Sequence, residues 1–216
     1  DGEDLYSEVT PELVVVTAVE GEGEGEGEGE GEGEGEGEGE SPPRIVEDLL
    51  ALYTFNEGFG STVADVSGIG TPLDLDIRDA ALVHWIPGAL SIDGSTLVTS
   101  SGAATKLINA VMASDGISME AWIRPALASQ GGPARIATIS ASTILRNLTL
   151  GQDTSKYEVR LRTTTTSYNG IPSVGTDEDV AAPALQHVVF TRDTSGAANI
   201  YVNGLAEMAG TIDGDF

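Results

Sequence analysis

The sequence predicts an all-β fold, an antiparallel two-sheet sandwich carrying one short helix, on three observations. From Ile45 onward, short β-branched and aromatic runs are separated by Gly, Asn, Asp and Ser rather than by helical stretches. Several of these runs alternate apolar and polar residues with a period of two. Two turn sequences, Asp193-Thr-Ser-Gly196 and Asn203-Gly204, join consecutive runs into an antiparallel meander.

Taken in chain order, residues 13–19 form a β-branched run expected to be a strand, the last of a preceding segment or domain (1–20) and without a partner of its own. Ten Gly-Glu repeats follow over 21–40. They combine the residue of greatest backbone freedom with a charge at every second position, so a disordered spacer is expected. As a Gly-rich coil it would span roughly 25 Å or more. Ser41-Pro-Pro43 stiffens its exit, and the linker closes at 44. The folded domain is expected over 45–216, with strands over 49–55, 73–77, 89–92, 118–124, 135–140, 145–151, 157–163, 186–193, 198–202 and 207–212. Between them, Leu107, Ile108, Val111 and Met112 recur at helical spacing, which predicts a short amphipathic helix over 103–113, stopped by Asp115-Gly116.

The alternation also assigns faces. Ile117, Met119, Ala121 and Ile123 form a core face, against Ser118, Glu120, Trp122 and Arg124. Tyr157, Val159 and Leu161 oppose Glu158, Arg160 and Arg162, and Val188 and Phe190 oppose His187 and Thr191. Each strand is expected to keep one wet side.

The formal charge of −25 is concentrated near the start: eleven of the 35 acids lie between Glu20 and Glu40. Residues 41–216 hold all ten Lys and Arg against nineteen acids, a net of −9. Without a basic cluster, an acidic domain repels phosphate, which argues against nucleic acid as a partner. No apolar run approaches the length of a membrane span, so no membrane insertion is expected. The absence of Cys excludes a thiol nucleophile, disulfides and thiolate metal sites from this stretch. Asp1 without Met and without a basic-then-apolar leader suggests a processed or excised piece.

Three stretches in this order and spacing resemble LamG-like jelly-roll domains of the concanavalin A-like lectin/glucanase superfamily. They are Ala51-Leu-Tyr-Thr-Phe-Asn-Glu-Gly-Phe-Gly60 with Asp65-Val-Ser-Gly68, then Ile117-Ser-Met-Glu-Ala-Trp-Ile-Arg-Pro125, then His187-Val-Val-Phe-Thr-Arg-Asp193 with Ile200-Tyr-Val-Asn-Gly204. The resemblance runs over about 49–216. It implies jelly-roll topology, secretion or display at a cell surface, and further strands beyond the Val-Asn-Gly hairpin, so a sandwich incomplete at its carboxyl end with an open edge for assembly is expected. It implies calcium in some relatives at turns like the one holding Asp65, the single metal-ligand candidate.

Glu120, Trp122, Arg124, Glu158, Arg160, Arg162, His187, Thr191, Tyr201 and Asn203 lie on polar strand faces and form one surface if their strands are neighbours. An aromatic plane flanked by charged forks suits the apolar face and the hydroxyls of a sugar. The ligand-binding candidates are therefore Glu120, Trp122, Arg124, Arg160, Arg162, His187 and Tyr201, and the expected partner is a glycan or, next, an extracellular protein. A structural spacer, in which that face is only a sheet surface, is the competing expectation. An enzyme is not expected. Retaining glycoside hydrolysis needs two carboxyls about 5 to 5.5 Å apart, and the Glu, Asp, Glu pattern that the resemblance associates with it has no match here. Asp74 and Asp76, the nearest pair, sit beside Arg78. His84 and His187 have no nucleophile or metal spacing beside them. Asn147-Leu-Thr149 fits a glycosylation sequon.

Overall fold

A computed structural model describes residues 9–17 and 48–216. The expected Gly-Glu spacer lies outside the described residues. The strands are β1 (Val9–Thr17), β2 (Leu49–Tyr53), β3 (Thr62–Val63), β4 (Leu75–Ile77), β5 (Val83–Ile86), β6 (Ala89–Ile92) and β7 (Val98–Ser100). After helix α1 (Thr105–Ser114) come β8 (Ile117–Pro125), β9 (Gln130–Ser140), β10 (Arg146–Thr154), β11 (Lys156–Leu161), β12 (Val174–Gly175), β13 (Gln186–Arg192), β14 (Ala197–Val202) and β15 (Leu205–Thr211). One sheet runs β15-β14-β13-β8-β1-β2 and a second runs β12-β11-β10-β9. Two smaller sheets, β3-β4-β7 and β5-β6, flank them. The pairings are antiparallel throughout, as the short turns require.

The period-two pattern places the core. Ile117, Met119, Ala121 and Ile123 of β8 are buried, and so are Val188 and Phe190 of β13 and Ala198, Ile200 and Val202 of β14. They join Leu148 and Leu150 of β10 and Tyr157, Val159 and Leu161 of β11 in one apolar cluster between the two main sheets. This is a jelly-roll-type sandwich, and every strand expected within 49–212 has a counterpart in it. The turn at Asn203-Gly204 has φ of 52° and 80°, the pair of positive values that a two-residue hairpin of this twist demands.

Two features depart from the sequence expectations. The run expected at 13–19 is a strand at Val9–Thr17, but it has partners: it lies between β2 and β8 and pairs with both. Strands β3, β5, β7 and β12 have no expected counterpart, because at two to four residues they carry no readable alternation. The helix forms as expected, with Leu107 and Val111 buried in the core while Met112 is 60% exposed. Asp115 terminates it in the left-handed conformation (φ 53°), its N–H bonding the Val111 carbonyl.

Polar groups tie the layers. The Tyr157 hydroxyl of β11 donates to Gln186 Oε1 of β13 at 2.6 Å, bridging the sheets through the core. Burial pushes the Tyr157 hydroxyl pKa upward, so it stays a donor. Arg192 follows the inward parity of Val188 and Phe190 and is only 2% exposed. Its guanidinium donates to the carbonyls of Asp115, Ile212 and Gly214, lies 3.2 Å from Asp115 Oδ1, and sits 4.9 Å from the Phe216 ring centre.

Removing this guanidinium strands three carbonyls at once, that of Ile212 buried and those of Asp115 and Gly214 half-buried. Arg192→Met is expected to lower unfolding free energy by on the order of 3 kcal/mol, read by urea denaturation. A loss under about 1 kcal/mol would mean that water replaces the guanidinium without strain.

Candidate functional site

The outer face of the six-stranded sheet is built by register. β13 pairs with β8 so that His187 stands opposite Trp122 and Val189 opposite Glu120, and β14 then sets Tyr201 opposite Val189. Because both central strands bury their other face, these side chains project away from the core. The Trp122 and His187 rings stack with centroids 4.5 Å apart and planes within 16°. His187 Nε2 lies 3.0 Å from Glu120 Oε1, an ion pair when the imidazole is protonated. The His187 N–H donates to Asn203 Oδ1 at 2.9 Å, which ties the rib to the β14–β15 turn. One indole face is thus taken by imidazole, and no other ring or guanidinium stacks on it among the described residues.

Two residues along the same face of β8, exposed Arg124 borders a cleft of about 400 Å³ that it shares with Ser91, Asp93 and Pro183. The Ser91 hydroxyl donates to Asp93 Oδ1 at 2.9 Å, and His84 Nε2 lies 2.8 Å from Asp93 Oδ2. The cleft therefore holds on one lining a guanidinium and a carboxylate engaged by Ser91 and His84, two residues along β8 from the ring stack. Such an arrangement suits a neutral polyhydroxylated ligand, whose hydroxyls both donate and accept.

Glu158, Arg160 and Arg162 do not join this surface. Glu158 and Arg160 lie on β11, which pairs with β10 and β12 in the other main sheet, and Arg162 directly follows that strand. Nor is their side wet throughout: Glu158 is buried, and its Oε1 accepts from Arg160 Nε at 2.6 Å. Arg162 lies over the Tyr168 ring at 4.6 Å. The alternation assigned their parity correctly, but parity is silent about which sheet a strand enters. Of the expected ligand-binding residues, Glu120, Trp122, Arg124, His187 and Tyr201 share one face, and Arg160 and Arg162 are elsewhere.

Asp65 has a different occupation from the calcium ligand expected of it. Its Oδ1 accepts the N–H of Leu52 and of Ser67, both at 3.1 Å, and its Oδ2 accepts the N–H of Leu73 at 3.0 Å and the Lys106 ammonium. A cation would have to displace an ammonium and three amides, so the residues do not fit calcium at this carboxylate. Among the described residues, no three His, Asp or Glu side chains group to hold an ion. Burial pushes the Asp65 carboxyl up, but the Lys106 ammonium and the donors of Leu73 and Ser67 outweigh it and hold its pKa at about 2, below the ordinary 3.8. Lys106 escaped sequence reasoning because it lies 41 residues away, on the helix.

Asp74 and Asp76, the nearest pair to a hydrolytic one, have separate partners. Asp74 Oδ1 accepts the Asp65 N–H at 2.9 Å, and Asp76 Oδ1 lies 3.4 Å from the Thr62 hydroxyl. In the sequon, Thr149 is fully buried in β10, with its hydroxyl 2.8 Å from that of Thr138. No helix among the described residues is long and apolar enough to cross a membrane.

A family model of laminin G type, described as concanavalin A-like lectin/glucanases superfamily, matches residues 99–215. The matched span holds β8, β13 and β14, hence the stacked rings, Glu120, Arg124 and Tyr201. No curated protein and no solved structure matches the chain.

The depressed pKa of Asp65 sets a direction with pH. A carboxylate whose folded pKa lies below its unfolded value contributes stability that is complete above about pH 4 and is lost as pH falls toward 2. Asp65→Asn is expected to cost about 2–3 kcal/mol at neutral pH and to flatten the decline of stability between about pH 4 and pH 2. Urea titrations at a series of pH values check both; an unaltered slope would place the acid sensitivity in other carboxylates.

Proposed function

The chain belongs to the concanavalin A-like lectin/glucanase superfamily, and from that footing we propose that its sandwich is a non-catalytic, extracellular recognition module whose leading ligand class is carbohydrate. Domains of this superfamily are generally binding modules rather than catalysts, and are typically extracellular. The observation that carries the proposal is the Trp122–His187 stack, oriented by Glu120 and continued along β8 to Arg124 and its polar cleft. An indole held upright by a stacked neighbour is pre-organised, so little side-chain entropy is lost when a sugar ring packs on it. Glu120 and Arg124 supply charge-assisted hydrogen bonds for hydroxyls, and Asp93 an opposing acceptor. The acidic background, −9 over residues 41–216, favours neutral over anionic sugars.

A second reading, a protein-interaction or spacer module, is favoured by the β15 edge. That strand ends the six-stranded sheet, is largely exposed, and presents Leu205 at 66% exposure. An open edge with an apolar side chain is a template for another chain's strand.

Glycan-array binding separates the two. Saturable binding to neutral glycans is expected, insensitive to chelator and weakened about tenfold or more by Trp122→Ala while the circular dichroism spectrum is unchanged. A silent array from folded protein would sink the carbohydrate proposal and leave the β15 edge as the interaction surface.

A further inference from the structure

The place of β1 in the six-stranded sheet has a consequence for assembly. We infer that the slot between β2 and β8 is a strand-acceptor site, and that a second copy of this chain fills it with its own residues 9–17. β1 is a central strand, hydrogen-bonded to β2 on one side and to β8 on the other. Its last residue, Thr17, stands opposite both Leu49 and Ser118. A turn of about two to five residues would join Thr17 to Leu49 as a hairpin. The sequence instead places 31 residues between them, ten of them glutamates of the Gly-Glu tract. A Gly-rich sequence of that length has a root-mean-square reach of roughly 30 Å, and like charges extend it. The covalent path is far longer than closure within one chain needs, and long enough to deliver the strand to a neighbour.

The chemistry of β1 is that of an edge strand set in the middle. Pro11 has no amide hydrogen to give the ladder, and Glu12 adds a charge; both are features by which edge strands resist pairing. The register with β8 shifts between Pro11 and Leu13, and the register with β2 shifts between Val16 and Thr17. β8, by contrast, alternates buried and half-buried residues over most of its length, and the β2 residues facing the core are buried. The domain thus contributes a regular two-sided frame, and the inserted strand is its replaceable part. When β1 leaves, β2 and β8 each expose a row of N–H and C=O groups that offers another strand a ladder on both sides.

Exchange between copies makes the same contacts in trans as in cis, so tether entropy against concentration decides the balance. The effective concentration of a strand on a tether of this length is in the millimolar range, so copies crowded to about that density exchange strands and dilute copies close on themselves. Display of many copies on one surface would meet that condition.

The chain contains no Cys, so introduced thiols report cleanly. A double variant, Thr17→Cys with Ser118→Cys, oxidised at about 10 µM, is expected to bridge within one chain. Equal amounts of the two single variants, mixed at about 1 mM and then oxidised, are expected to give the 17-to-118 bridge between copies at about ten times the yield of a control mixture of Thr17→Cys with Thr143→Cys. Thr143 is exposed in the turn between β9 and β10, which belong to the other main sheet, so its bridge measures chance collision. Equal yields in the two mixtures would overturn the exchange, as would no bridge between copies when the double variant closes. A double variant that does not bridge would overturn the slot itself.

Discussion

A guanidinium sealed from water must be surrounded by oxygens, and Arg192 meets that requirement by drawing two separate segments, at 115 and at 212–214, onto β13. Its donors reach the end of α1 at Asp115, the end of β15 at Ile212, and Gly214 beyond it. In the ladder Arg192 stands opposite Ile117, the first residue of β8, and Asp115 lies two residues before that. The arginine therefore fixes β13 against β8 at the end where the helix delivers the chain into the sheet. A slip of one residue would turn Arg192 toward solvent and drive Thr191 inward, with the three carbonyls left without their donors.

The candidate site inherits its geometry from that constraint. Counting five residues back along β13 from Arg192 reaches His187 on the opposite face, and the same ladder sets it across from Trp122. The ring stack is thus the outward expression of a register held from inside. Glu120 adds rotation control rather than position, because its carboxylate meets His187 Nε2 on the side of the ring away from the backbone. Asn203 performs the matching task at the backbone, accepting the His187 N–H. A rigid sheet positions these groups, and no long loop is needed to hold them.

How far the sequence disclosed this depends on whether each feature is local. The nine-residue alternation of β8 and the Asn203-Gly204 turn are short-range signals, and both faces of β8 follow from them. Arg160 and Arg162 show where such signals stop: their alternation is as clear as that of β8, yet the sheet that β11 joins is set by pairing with β10 and β12. Asp65 is a further case. The resemblance of its turn to those that bind calcium in some relatives made it the metal-ligand candidate, whereas distant Leu52, Leu73 and Lys106 supply donors that occupy it. Arg192 had a readable signal, the parity it shares with Val188 and Phe190, but its charge at a strand end concealed its burial.

The proposed strand slot and the candidate face share β8, so strand exchange of the kind proposed would bear on the candidate face. In the register of β1 against β8, Leu13 stands opposite Trp122 and Val15 opposite Glu120. Trp122 and Glu120 therefore belong to the stretch of β8 that β1 flanks. While the slot is empty, β8 is an edge, and the backbone beneath Trp122 and Glu120 has no ladder on that side to hold it. Filling the slot, from the same chain or from a neighbour, converts β8 into a central strand and stiffens the platform on which the rings stand. If a ligand prefers the stiffened platform, its binding and strand insertion favour each other by the same free energy, since coupling between two binding events is reciprocal. Occupancy of the recognition face would then rise with the local density of copies, without any change in the residues that touch the ligand.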